Sequence, residues 1–133
     1  MLEAQWARDN FVCVGLDSEL SKIPKAAANP LSPRETIFKF NRHLVDVTKD
    51  LVCAYKPNIA FYEAEGEDGL TALRETIIHI HAAAPDVPVI LDAKRADIGS
   101  TNAGYAKMAF ETLNADAITV HPYLGAEALQ PFL

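Results

Sequence analysis

The sequence predicts an α/β fold in which four parallel strands alternate with helices, half the number of βα units in a (β/α)8 barrel. Three observations predict it. Short apolar runs rich in β-branched residues recur at Phe11–Asp17, Leu51–Lys56, Val87–Leu91 and Asp116–Tyr123, and unbroken runs of this length are how strands covered on both faces read. Segments with helical spacing separate them, giving the order β-α-β-α-β-α-β-α, and crossovers of that length join parallel strands right-handedly. Each run also discharges at its carboxyl end into charged or polar residues, namely Asp17, Lys56, Asp92 and His121. That is the end at which barrels and open α/β sheets carry their chemistry.

Taken in order, Phe11–Asp17 reads as a strand of the same covered type as Val87–Leu91, followed by a loop broken by Pro24, Asn29 and Pro30. Ser32-Pro33-Arg34-Glu35 is a helix start, with Ser32 as cap, Pro33 in the first turn and Glu35 reaching back to the cap. This helix is expected to run to about Lys49, with Ile37, Leu44, Val47 and Leu51 on its apolar face and Lys39, Arg42, Asp46 and Asp50 on its wet face. His43 is expected at its surface or half-buried. The second strand ends at Lys56, where Pro57 cannot continue a ladder. Residues 59–67 connect to a helix opened by Asp68 or Gly69, with Leu70, Leu73, Ile77 and Ile80 buried, that ends near Ala84-Pro85. After the third strand Ser100 or Thr101 is expected to cap a helix through about Leu113, turning Ala106, Ala109 and Phe110 to the sheet. Gly125–Leu133 begins a last helix.

Half of the 133 residues are hydrophobic and 23% are charged, enough for a core of its own. No apolar run approaches the roughly 20 residues that span a bilayer, and Met1–Trp6 lacks the basic start of a signal peptide, so the expected location is cytoplasmic. The net charge of −6 argues against bulk nucleic-acid binding, and an anionic small molecule would have to meet individual cations. Lys56 and Lys94 are the candidates. Cys13 and Cys53 lie in apolar strands and are expected to be reduced and buried. His79 and His81 are two apart on a helix, whereas ligands sharing a helical face sit three or four apart, so no metal site is expected there.

The third strand carries the chemistry. Asp92 and Lys94 are two residues apart, so both project from one side of the strand, and Asp97 falls in the turn just beyond. A structural ion pair at a sheet rim would need only one Asp and one Lys, whereas D-x-K-x-x-D supplies three charges. The run Asp92-Ala93-Lys94-Arg95-Ala96-Asp97-Ile98-Gly99-Ser100-Thr101 resembles the active-site signature of the orotidine 5′-phosphate decarboxylases. D-x-K-x-x-D alone is shared with sugar-phosphate decarboxylases and synthases of the same superfamily, and Ile-Gly-Ser-Thr narrows the match. The resemblance extends to Val14-Gly15-Leu16-Asp17, to Lys56-Pro57-Asn58 with Ala60-Phe61-Tyr62-Glu63, and to His121-Pro122-Tyr123-Leu124-Gly125. It is similar to the bacterial branch with Lys-Pro-Asn on the second strand, rather than the branch with Lys-Thr-His.

That resemblance implies a TIM barrel that converts orotidine 5′-phosphate to UMP and CO2 in pyrimidine biosynthesis, with no cofactor and no metal. It implies that Asp17 binds ribose hydroxyls, that Lys56 contacts ribose and the charge network, and that Asp92, Lys94 and Asp97 perform or support the chemistry. Ile98 and Thr101 would line the substrate, with Asp97, Ile98 and Thr101 reaching into the partner's site of a homodimer. The family's pyrimidine-reading serine and phosphate-gripping glutamine and arginine come from the second half of the barrel. A barrel takes about 250 residues, so residues 1–133 are expected to be the N-terminal half of one barrel domain, with its own activity open. Two alternatives stand beside this reading: a metal-dependent sugar-phosphate decarboxylase or synthase of the superfamily, and a non-catalytic half-barrel assembly module.

Overall fold

In the computed structural model, which describes residues 1–29 and 31–133, four strands run parallel in sequence order. They are β1 (Val12–Gly15), β2 (Val52–Lys56), β3 (Ile90–Arg95) and β4 (Ala117–Val120). β1 pairs with β2 and β3 with β4, and parallel bridges at Tyr55–Val89 and Asn58–Asp92 join the two halves. The helices are α1 (Leu2–Trp6), α2 (Pro33–Thr48), α3 (Ile59–Glu63), α4 (Gly66–Ala83), α5 (Gly99–Ala106) and α6 (Ala126–Leu129). The α/β fold with parallel strands is as expected, and it forms part of a barrel wall. α1 had no sequence signal; it is tied down by Gln5, whose buried side chain donates to the Asp86 carbonyl at 2.9 Å.

The core lies between the strands and α2 and α4, with Ile37, Val45, Leu73, Ile77, Val89 and Leu91 among its fully buried residues. α2 starts as the sequence indicates, the Glu35 N–H donating to Ser32 Oγ at 3.1 Å. The Glu35 carboxylate does not reach back; it takes Asn29 and Lys39 instead, each at 3.1 Å. The buried stripe of α2 is Ile37, Asn41 and Val45. Val47 and Leu51 of the expected face are exposed, because the stripe follows the contact with α4 and not hydropathy alone. Leu70 is likewise exposed on α4 while Leu73, Ile77 and Ile80 are buried.

Other boundaries moved. The connection after β2 folds into α3, capped by Asn58 Oδ1 accepting from the Ala60 N–H at 3.2 Å, and α4 opens earlier than expected, at Gly66. Gly69 lets the two helices meet: a Cβ there would lie 2.0 Å from the Tyr62 carbonyl oxygen. β3 begins three residues late and includes the charged residues. Ser100 and Thr101 do not cap α5, whose N-cap is Ile98, and the helix passes into a π-helical turn over Lys107–Thr112. β1 is not covered like β3: Phe11 and Val12 are 66% and 58% exposed, since only β2 pairs with it. Cys13 is therefore exposed, and only Cys53 is buried; both are free thiols. His43 is exposed on α2. Pro30 lies outside the described residues.

A buried polar cluster is tied to the end of β1. Asn41, fully buried, donates to the Tyr62 hydroxyl at 3.0 Å and to Thr76 Oγ1 at 3.1 Å, and accepts from the Ser18 hydroxyl. Tyr62 in turn donates to the Leu16 carbonyl at 2.8 Å. Burial pushes the Tyr62 phenol well above its ordinary range, so it stays a neutral donor. It holds the backbone immediately before Asp17.

Candidate active site

Asp92 sits near the carboxyl end of β3 with its side chain almost covered. It is gripped from two sides: Lys56 Nζ, at the end of β2, donates to Oδ2 at 3.0 Å, and Lys94 Nζ donates to Oδ1 at 2.8 Å. The Asp92 N–H donates to the Pro57 carbonyl at 2.9 Å, which fixes β3 against the Lys-Pro-Asn turn. The hydrogen bond from Lys94 leads in holding the Asp92 carboxyl down at about 2, aided by Lys56 and Thr119 against the opposing effect of burial. The same contact with Asp92 raises the Lys56 pKa above the usual lysine value. Asp92 is thus a carboxylate and Lys56 an ammonium across the physiological range.

Lys94 reaches this position through an unusual backbone. Its φ is +48°, a left-handed conformation that costs a residue bearing a Cβ roughly 1–2 kcal/mol. Such strain persists where surrounding contacts over-determine it, which is commonest at functional sites. Here the β3–β4 register breaks, passing from Leu91 opposite Ile118 directly to Arg95 opposite Val120. In the gap Thr119 Oγ1 accepts from the N–H groups of Ala93 and Lys94, at 3.0 and 2.9 Å, and donates to Asp92 Oδ1 at 2.8 Å. Sequence reasoning assigned no role to Thr119. Arg95, next along, bonds Glu63 of α3 and lies 5.3 Å from the Tyr105 ring of α5, bracing the strand end between two helices.

The structure brings Lys56, Asp92 and Lys94 together and leaves the other expected residues apart from them. Asp17, just after β1, is exposed and bonds none of the three, although its charge contributes to the raised Lys56 pKa. Asp97 is not bonded to them: its carboxylate accepts from the Ile98 N–H at 2.6 Å. Its backbone is clamped by buried Asn102, which accepts from the Asp97 N–H at 2.8 Å and donates to the Asp97 carbonyl at 2.7 Å. Ile98 is 60% exposed. Thr101 lines an open groove of about 1020 Å³ formed with residues of α4 and α5, to which none of Lys56, Asp92 and Lys94 contributes. His79 and His81 each take a separate carboxylate, Asp46 and Asp116. Among the described residues no three His, Cys, Asp or Glu side chains are grouped as metal ligands.

The model of the orotidine 5′-phosphate decarboxylase / HUMPS family matches residues 10–133, a span that includes the whole Lys56–Asp92–Lys94 cluster. The chain belongs to this family. Among its relatives, an orotidine 5′-phosphate decarboxylase of Christiangramia forsetii is 51% identical over 126 residues, covering 95% of this chain and 45% of that protein. One of Cellvibrio japonicus is 48% identical over 132 residues, 98% of this chain and 47% of the relative. The chain spans about half the length of the curated relatives it matches. A solved orotidine-monophosphate decarboxylase of Leishmania donovani superposes with a TM-score of 0.81 at 40% identity, over 98% of this chain and 47% of its own. A Toxoplasma gondii structure does so with a TM-score of 0.87 at 43% identity, over 99% and 43%. TIM-barrel architecture of the orotidine-monophosphate decarboxylase kind thus describes this chain's fold, of which it carries four consecutive strands.

Proposed function

We propose that this chain provides the charged half of an orotidine 5′-phosphate decarboxylase site, with Lys94, Asp92, Lys56 and Asp97 as catalytic groups and Asp17, Ile98 and Thr101 as substrate contacts. The observation that carries the reading is the Lys56–Asp92–Lys94 cluster at the ends of β2 and β3. The family takes in two chemistries, and relatives near 50% identity bearing the decarboxylase name favour it over the sugar-phosphate branch.

Decarboxylation breaks the bond between the ring carbon and its carboxylate, CO2 leaves, and the bonding electron pair stays on that carbon. No adjacent group in the ring delocalises the pair, so fixed charges must stabilise it. Asp92, held ionised, disfavours a second carboxylate beside it in the bound substrate. The Lys94 ammonium stabilises the developing carbanion and then gives it a proton, closing the balance with UMP and a neutral amine that solvent reprotonates. The strain at Lys94 and the double grip on Asp92 keep this geometry fixed before substrate arrives, which is where such electrostatic stabilisation is most effective.

The reading includes a cytoplasmic homodimer. Asp97 makes no hydrogen bond or ion pair with the cluster of its own chain, and Ile98 beside it is exposed, as residues serving a partner's site would be. Orotidylate turnover by the gene product at its natural length, measured beside the 133-residue chain, tests the activity. Lys94→Ala should lower turnover by at least about 10²–10⁴-fold, the usual worth of a positioned proton donor, and substantial remaining turnover would remove Lys94 from its role. Mixing Asp97→Ala and Lys94→Ala proteins should restore partial activity; none in verified mixed dimers would mean that each site is built from one chain.

A further inference from the structure

The break in the β3–β4 ladder leaves three residues of one strand, Asp92, Ala93 and Lys94, opposite a single residue of the other, Thr119. A regular ladder would meet the N–H groups of Ala93 and Lys94 with backbone carbonyls, and the bulge removes those partners. The Thr119 hydroxyl replaces them. It can donate once and accept twice, and all three capacities are used: it accepts from Ala93 N at 3.0 Å and Lys94 N at 2.9 Å, and donates to Asp92 Oδ1 at 2.8 Å. The ladder resumes immediately afterwards, the His121 N–H donating to the Arg95 carbonyl at 3.0 Å.

We propose that Thr119 is a positioning residue for the site: one hydroxyl pins the left-handed turn that aims Lys94 back at Asp92 and, through its own proton, sets the rotation of the Asp92 carboxylate between Lys94 and Lys56. The direction of the donated proton matters. Because the two N–H donors occupy the hydroxyl's lone pairs, its hydrogen has one acceptor left, the Asp92 oxygen that also receives Lys94. Backbone conformation of the proton-donating lysine and orientation of the carboxylate are therefore coupled through a single atom on β4. Neither residue can shift by an ångström without breaking a bond to it. Thr119 has no part in the charge balance of the reaction, and it acts only through Asp92 and Lys94.

This inference rests on the decarboxylase reading, and its test separates the two. In the gene product at its natural length, Thr119→Val keeps shape and removes the hydroxyl, while Thr119→Ser keeps the hydroxyl. The Val variant should lose kcat by about 10–100-fold, as misplacement by about an ångström does, with KM and affinity for UMP changed less than about threefold. The Ser variant should stay within about threefold of the parent in kcat. Equal losses in both variants, or unchanged kcat in the Val variant, would overturn the proposal; a general folding defect would lower the amount of active protein without splitting kcat from KM. Crystal structures of both variants supply a readout free of activity. Lys94 should leave its positive φ, or Asp92 rotate away from Lys94, in the Val variant only. If the parent protein proves not to decarboxylate orotidylate, the functional reading falls, and the crystallographic comparison still decides the role of Thr119. An unaltered bulge in the Val variant would overturn it there too.

Discussion

Replacing Asp92 with Asn keeps the shape of the side chain and removes the charge that two ammonium groups share, and its effect on stability can be worked from the structure. The Asp92 carboxyl is held at about 2, with Lys94 the leading cause, against about 3.9 for a free aspartate. A difference near two units corresponds to about 2–3 kcal/mol at 1.36 kcal/mol per unit. Lys94 is two-thirds exposed, so water screens its share, and about 1–2 kcal/mol is the expected contribution. The sign follows from the direction of the shift. A carboxyl with a depressed folded-state pKa stabilises the fold fully above its unfolded pKa, near 4, and loses that contribution as pH falls toward 2. Asp92→Asn should therefore be less stable by about 1–2 kcal/mol at pH 7, where it also leaves Lys56 and Lys94 facing each other uncompensated. The gap should narrow steadily between about pH 4 and pH 2. Urea unfolding followed by circular dichroism at fixed protein concentration measures it, urea being preferred because guanidinium salt screens the ion pairs. A gap that is the same at pH 3 and pH 7, or a variant more stable than its parent at pH 7, would refute the assignment of Asp92 as a buried, doubly paired carboxylate.

Lys94→Gly should be more stable than Lys94→Ala by about 1 kcal/mol, because both lack the amine and only Gly adopts φ +48° freely; in an ordinary strand Ala would win, so the order of the two urea midpoints checks the bulge. Tyr62→Phe leaves the Leu16 carbonyl without its side-chain partner in a buried cluster, and should cost about 1–3 kcal/mol and lower Tm by several degrees in calorimetry. Gly69→Ala drives a methyl into the Tyr62 carbonyl and should cost at least about 2 kcal/mol, a loss visible as reduced soluble expression or a lowered urea midpoint. The exposed β1 edge, with Phe11 and Val12 open to solvent, should make the isolated 133-residue chain self-associate; light scattering that finds a stable monomer at micromolar concentration would contradict this.

Much of the architecture follows from local pattern. Apolar runs of strand length, each ended by a charged or polar residue, and helices such as the one begun by Ser32-Pro33, are read from neighbours within a few residues, and the four strands follow in the expected order although β3 and α4 begin at other residues than the pattern indicates. The pairing of Asp92 with Lys94 is also local, since residues two apart in a strand share a side, and Lys56 joins them because parallel strands bring their carboxyl ends to one rim. What only the tertiary structure decided depends on partners far along the chain. Periodicity assumes an unbroken register, so it cannot show a bulge that three residues of β3 make against one of β4, or the left-handed Lys94 within it. Thr119 reads as one more β-branched strand residue until Asp92, 27 positions earlier, is placed beside its hydroxyl. Asn41 interrupts an apolar stripe and is buried because Ser18, Tyr62 and Thr76 satisfy it from three other segments. Exposure of Val47, Leu70 and β1 was hidden for the converse reason: hydropathy records what a residue would gain by burial, whereas the fold determines whether another element is there to cover it.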